Sequence, residues 1–133
     1  MKNTFTVSAG IAAMILSTAV FAGPREDLLA QYGVAAKSAG FSAARGETLH
    51  TQNFSGGKPD TPSCTSCHGK DTRSAGRTRT GKAIEPLALS VTPTRYTDPA
   101  KVEKWFKRNC TEVLGRECTP QEKGDWLSFV LGR

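Results

Sequence analysis

The sequence predicts a small all-α fold of short helices joined by long loops. Apolar residues recur at helical spacing in two C-terminal segments, capping residues stand at their ends, and no segment alternates convincingly as a strand. The 133 residues fit one domain. Charged residues make up 23%, which argues against a charge-driven disordered chain. No repeat of 20–50 residues and no heptad pattern is present, so a solenoid and a coiled coil are excluded. The net charge of +6 and pI near 9.4 suit an acidic partner as well as nucleic acid.

The amino end reads as a leader rather than as fold. Lys2 precedes an uncharged run with an apolar centre, Ile11 to Leu16, and Val20-Phe21-Ala22 puts small residues at the −3 and −1 positions. That pattern describes a secretory signal peptide over residues 1–22. The alternative is a retained membrane anchor, but the apolar stretch is shorter than the ~20 residues a span requires. Residues 23–133 are then a single mature domain with no membrane insertion, exported to the periplasm. It keeps 17 of the 18 basic residues and all 12 acidic ones, and both methionines are lost with the leader. Only about a third of the mature residues are apolar. This is thin for a core of that size, so a bound group, a disulfide or both are expected to complete it.

Residues 24–40 form an N-terminal extension whose residues 24–39 read as a helix, with Pro24 in its first turn, Glu26 and Asp27 at its positive end and Gly40 following its other end. Ser42 caps a second short helix running to His50. Residues 51–63 hold two Gly and two Pro and form a loop. From Gly69 to Pro99, Gly76, Gly81, Pro86 and Pro93 interrupt any long element. Asp98 and Pro99 then start a helix carrying Val102, Trp105, Phe106, Cys110 and Val113, which Gly115 ends. Thr119-Pro120-Gln121-Glu122 is a capping box for a last helix with Trp126, Leu127, Phe129 and Val130.

Cys64-Thr65-Ser66-Cys67-His68 carries the chemistry. C-x-x-C-H is the attachment motif of haem c. Two thiols one helical turn apart can add to the two vinyl groups on one porphyrin edge, and the adjacent His68 then lies under the iron as proximal ligand. One covalent haem per chain follows. A zinc site needs four ligands, and Cys110 and Cys118 have the wrong spacing for a second pair. A thioredoxin-like dithiol wants a βαβ context that is missing. A Cys64–Cys67 disulfide leaves His68 unexplained.

Two thioethers leave Cys110 and Cys118, which in an oxidising compartment are expected to form a disulfide; a redox switch is the alternative role. Thr119 follows Cys118, so the pair is no second haem motif. Methionine, the usual sixth ligand that raises the potential, is excluded unless the leader is retained. His50, a Lys, an Asn or an open position remain. His50 is the only other histidine. It either makes a bis-His carrier with His68 or is a partly exposed residue at a helix end.

Three blocks bring a family resemblance. They are Gly56 to Ser63 leading into the C-x-x-C-H motif; Thr78 to Lys82 with Ile84 and Pro86-Leu87-Ala88; and Val102 to Trp105, Arg108-Asn109-Cys110, Gly115-Arg116, Cys118-Thr119-Pro120 and Glu122-Lys123. From about Ala44 onward the chain resembles the sphaeroides haem protein family, class I-like cytochromes c that bind oxygen. The resemblance implies a class I cytochrome c-like fold and a displaceable axial asparagine, which falls on Asn109. It also implies a disulfide at Cys110–Cys118. Electron donors would be a dihaem cytochrome c and a membrane b-type cytochrome, and nitric oxide dioxygenase activity has been proposed in that family.

Metal ligands are therefore expected at His68 and Asn109, with O2 or NO as the incoming ligand. Trp105 is expected to pack at the haem edge. Arg79 and Lys82 are candidates for the propionates, with Arg73, Arg77 and Arg95 as alternatives. Gly46 is expected to allow a close crossing by the last helix, with Leu49, Trp126 and Phe129 as core. Two propionates would lower the mature charge to about +3. No basic motif is interleaved with aromatics as in single-strand binders, so no nucleic-acid partner is expected. The competing function is a bis-His electron carrier using His68 and His50, without gas binding. A gas sensor would need a partner to supply its output domain.

Overall fold

The computed structural model describes residues 22–133. The expected leader, apart from Ala22, lies outside the described residues. Five helices, α1 (Pro24–Ala36), α2 (Ala43–Thr51), α3 (Thr65–His68), α4 (Pro99–Leu114) and α5 (Pro120–Leu131), carry the fold. Helix α5 packs against both α1 and α2, and α1 also touches α4.

The helix boundaries follow their caps. Ser42 Oγ accepts the Arg45 amide at 3.2 Å, and Asp98 Oδ1 accepts the Lys101 amide at 3.1 Å. The capping box is complete: Thr119 accepts the Glu122 amide and Glu122 accepts the Thr119 amide. Arg116 grips the same carboxylate with two hydrogen bonds of 2.8 and 2.7 Å.

Two expectations are corrected. Helix α1 stops at Ala36 rather than reaching Gly40. Lys37 takes the left-handed conformation at φ 50°, and its amide returns to the Gly33 and Val34 carbonyls. The middle of the chain also contains a minimal antiparallel ladder, β1 (Gly76–Arg77) with β2 (Ala83–Ile84), where no strand was expected. A turn at Thr78–Gly81 closes it, with Gly81 at φ 84°. Two residues per strand are too few to show an alternation in sequence.

The central crossing depends on Gly46. A Cβ there would sit 2.1 Å from the Asp125 carbonyl oxygen and 2.8 Å from Phe129 Cβ, so only glycine lets α2 and α5 meet. Asp125 ties the same crossing electrostatically. Its carboxylate accepts the Ser42 amide at 2.7 Å, two Arg45 bonds at 2.7 and 2.8 Å and the Gln121 amide at 3.0 Å. Burial pushes this carboxyl up, but the Arg45, Ser42 and Gln121 donors prevail and hold it below the ordinary aspartate value.

The core contains Leu28, Tyr32, Val102, Phe106, Leu127, Phe129 and Val130. Segment 87–90 closes one side. The Leu87 and Ala88 amides donate to Thr72 O, and those of Leu89 and Ser90 donate to the end of the chain at Val130 and Arg133.

Gly46→Ala is expected to cost about 3 kcal/mol through overpacking against backbone that cannot move aside. Thermal unfolding of the haem-loaded protein measures it. Asp125 contributes stability above the ordinary aspartate pKa of about 3.9, and this is lost as pH falls through its lower folded value. Denaturant titrations should therefore show a shallower loss below about pH 4 in Asp125→Asn than in the parent protein.

Candidate haem site

Helix α3 places the two motif thiols one turn apart. Cys64 and Cys67 are both free cysteines. Cys64 lies toward α2, its sulfur 4.0 Å from the Leu49 carbonyl, and burial pushes its thiol up to about 11. For Cys67, burial raises the thiol pKa, and the Glu112 carboxylate raises it further.

The His68 Nδ1 is buried with no hydrogen-bond partner among the described residues. Burial above all, with smaller effects from the neighbouring His50 and Arg95, pushes its pKa down to about 4, so the ring is neutral near pH 7. A neutral imidazole is the form that binds iron.

His50 is not the partly exposed residue expected from its place at a helix end. It is fully buried, because the Gly46 crossing brings α5 over it. Its Nε2–H donates to the Gly69 carbonyl at 2.9 Å, and its Nδ1 accepts from Trp126 Nε1–H at 3.4 Å. The two partners fix the tautomer, and burial lowers the pKa. Both ring nitrogens of His50 are thus engaged by the protein, and they anchor the residue that follows His68.

Helix α4 supplies an uncovered stripe. Trp105 is 44% exposed although it is a large aromatic, and Arg108 stacks over its ring at 5.4 Å. Asn109 follows at i+4 on the same face. It is exposed, and its side chain makes no hydrogen bond among the described residues. Glu112 continues the stripe and accepts the Lys58 amide through its carbonyl at 2.8 Å. The glycines allow this approach: a Cβ at Gly57 would lie 2.2 Å from that carbonyl oxygen. A disulfide joins Cys110, next to Asn109, to Cys118.

The basic candidates separate clearly. Arg79 pairs with Asp60 at 3.3 Å and Lys82 is exposed. Arg73 is exposed, and Arg77 donates to the Gly81 carbonyl at 3.2 Å. Arg95 is the one whose charge acts on His68, and it also donates to the Pro86 carbonyl at 2.8 Å. The Gly69–His50–Trp126 relay was not found by sequence reasoning. Its signal was the joint presence of Gly46 and a histidine four residues later on one helix face.

These residues fit a covalent haem. Two free thiols precede a histidine with an orphaned buried nitrogen, and on α4 an exposed indole and an amide without a hydrogen bond among the described residues share one helix face. Among the described residues no cluster of three or more His, Cys, Asp or Glu could hold a bare metal ion.

Comparison with known proteins agrees. Residues 36–130 match a family described as a domain of unknown function, DUF1924. The chain is 52% identical over 126 residues to the cytochrome c-type protein SHP of Cereibacter sphaeroides, covering 90% of this chain and 97% of that one. The structure of oxidized SHP, an oxygen-binding cytochrome c, superposes with a TM-score of 0.79 at 53% identity, over 82% of this chain and 96% of that one. A solution structure of cytochrome c'' from Methylophilus methylotrophus, concerned with haem-ligand detachment, gives 0.69 at 32% identity, over 82% and 93%.

His50→Leu should strand the Gly69 carbonyl and the Trp126 N–H and cost about 2 kcal/mol. Denaturant unfolding of the haem-loaded variant measures the loss. The chain carries covalent haem c, has the all-α fold of its relatives, and belongs to the sphaeroides haem protein family of monohaem cytochromes c.

Proposed function

We propose that this cytochrome holds ferric haem between His68 and Asn109, and that reduction releases Asn109 and opens the iron to O2 or NO. One observation carries the reading. Asn109 presents an amide with no protein partner beside the exposed Trp105, on a helix pinned at the next residue by Cys110–Cys118. The described relatives support it, one being an oxygen-binding cytochrome and another a case of haem-ligand detachment.

The residues divide the work. His68 is the permanent ligand, and the thioethers of Cys64 and Cys67 hold the group in place. Asn109 is a weak, neutral ligand suited to a hard ferric ion and outcompeted at ferrous iron by soft π-acceptors. The disulfide limits how far the Asn109 backbone can move when its side chain lets go. Trp105 covers the haem edge, and Arg95 offsets propionate charge. The haem supplies the redox change and the gas-binding position. His50 stays off the iron because both of its nitrogens serve Gly69 and Trp126.

Export follows from the same reading: residues 1–22 are a cleaved leader, and residues 23–133 act in the periplasm. No helix among the described residues is long and apolar enough to cross a membrane. Electrons would arrive from a dihaem cytochrome c and a membrane b-type cytochrome. Nitric oxide dioxygenation combines O2, NO and one electron into nitrate, and it needs no acid or base from the chain.

Asn109→Ala should change the ferric optical spectrum from six-coordinate low-spin to a form with a weak or absent sixth ligand. His50→Gln should leave the ferric axial ligation unchanged. The reverse pattern would assign the ligand to His50 and make the protein a simple carrier. Nitrate formation from NO in the presence of O2 and a competent electron donor tests the dioxygenase arm, and its absence would remove that activity.

A further inference from the structure

A row of aromatic rings, with Tyr32 and Phe106 buried and Trp126 half-buried, runs from the haem motif to the N-terminal helix. It starts at Gly69, whose carbonyl accepts from His50, and continues through the hydrogen bond from Trp126 to His50. Trp126 packs edge-on against Phe106 with ring centroids 5.5 Å apart, and Phe106 packs edge-on against Tyr32 at 6.2 Å. Tyr32 ends the chain, and its hydroxyl donates to Glu103 Oε1.

The end of this chain is built differently from its side branch. Tyr96 also packs edge-on against Trp126, at 6.2 Å, but its hydroxyl donates to the Leu87 backbone carbonyl, which is no proton acceptor. The acceptor at Tyr32 is a carboxylate. Glu103 is kept ionised because Lys123, bonded at 2.6 Å, and Tyr32 outweigh the effect of burial. Lys123 also lies 5.8 Å from the Tyr32 ring centroid, so a cationic phenol radical there is disfavoured and a neutral one is not. A phenol oxidised beside a base loses its proton at once, which makes it the lower-energy resting place for an electron hole.

Composition adds a second reason. Residues 22–133 contain no methionine, and their four cysteines are taken by haem attachment and the disulfide. The sulfur side chains that usually absorb oxidation are therefore absent. The chain's two tyrosines and two tryptophans are left, and only Trp105 lies outside this aromatic cluster.

We propose that Trp126, Phe106 and Tyr32 form an electron-supply path to the haem, with Tyr32 as terminal donor and Glu103 as its proton acceptor. The path disposes of hydrogen peroxide, the by-product expected of a ferrous protein exposed to O2. Reduction of one H2O2 to two waters takes two electrons and two protons. Ferrous iron gives one electron and becomes ferric, and Tyr32 gives the other through Phe106 and Trp126. The Tyr32 hydroxyl proton passes to the Glu103 carboxylate, and the two protons consumed come from solvent. The product is a neutral Tyr32 radical beside a protonated Glu103. The inference rests on the open ferrous site proposed above.

The test mixes ferrous holoprotein with H2O2, freezes it within milliseconds and records electron paramagnetic resonance spectra. Samples carrying ring-deuterated tyrosine identify the radical. The parent protein and Tyr96→Phe should give a tyrosyl signal. Tyr32→Phe should lose it and instead accumulate oxidised Trp126, read by peptide mass spectrometry. Glu103→Gln should reduce the signal while keeping the phenol. A signal that persists in Tyr32→Phe, or that disappears in Tyr96→Phe, overturns the path. Conversion of ferrous to ferric protein is followed optically in the same samples and in Asn109→Ala. Reaction in Asn109→Ala alone counts against ligand release in the parent, while the radical in that background still decides the path. Absence of reaction in both overturns it.

Discussion

The structure depends on the absence of a side chain at Gly46. It brings the α2 backbone against α5, with Asp125 and Phe129 in direct contact. That approach buries His50 one turn later and puts Trp126 within hydrogen-bond reach of it. His50 then holds the Gly69 carbonyl and with it the end of the haem motif. A glycine on one helix thus fixes the loop that presents His68, with a neutral histidine as connector. Asp125 reinforces the crossing by holding Ser42, Arg45 and Gln121 from three directions.

The two sides of the site are built on opposite principles. Around His68, the neighbouring groups are tied to the protein: Gly69 to His50, His50 to Trp126, Arg95 to the Pro86 carbonyl. On α4, Trp105 is covered only in part, by Arg108, and the Asn109 amide makes no hydrogen bond among the described residues. A permanent ligand benefits from a fixed surrounding, and a displaceable one must have no competing bond to hold it away. The disulfide at Cys110 ties down the backbone beside that amide.

Much of this was legible in the sequence, and the reasons differ by residue. Cap chemistry is local, so Ser42, Asp98, Thr119 and Gly115 mark the helix ends accurately. C-x-x-C-H is a local motif as well. Helix α1 was overextended because Lys37, not a glycine, takes the left-handed cap. The β1–β2 ladder was missed because two-residue strands carry no period. His50 was misplaced because its burial comes from a helix 76 residues away. Asn109 has no local signature at all; in isolation it reads as a surface amide, and family resemblance alone singled it out.

The most direct test of the account is the optical spectrum of purified holoprotein, ferric and then dithionite-reduced, with and without NO. The account predicts a six-coordinate ferric form, a high-spin ferrous form and a clear spectral shift when NO is added to the latter. A low-spin ferrous spectrum unchanged by NO would contradict it, because the sixth ligand would then be permanent and the protein would only carry electrons.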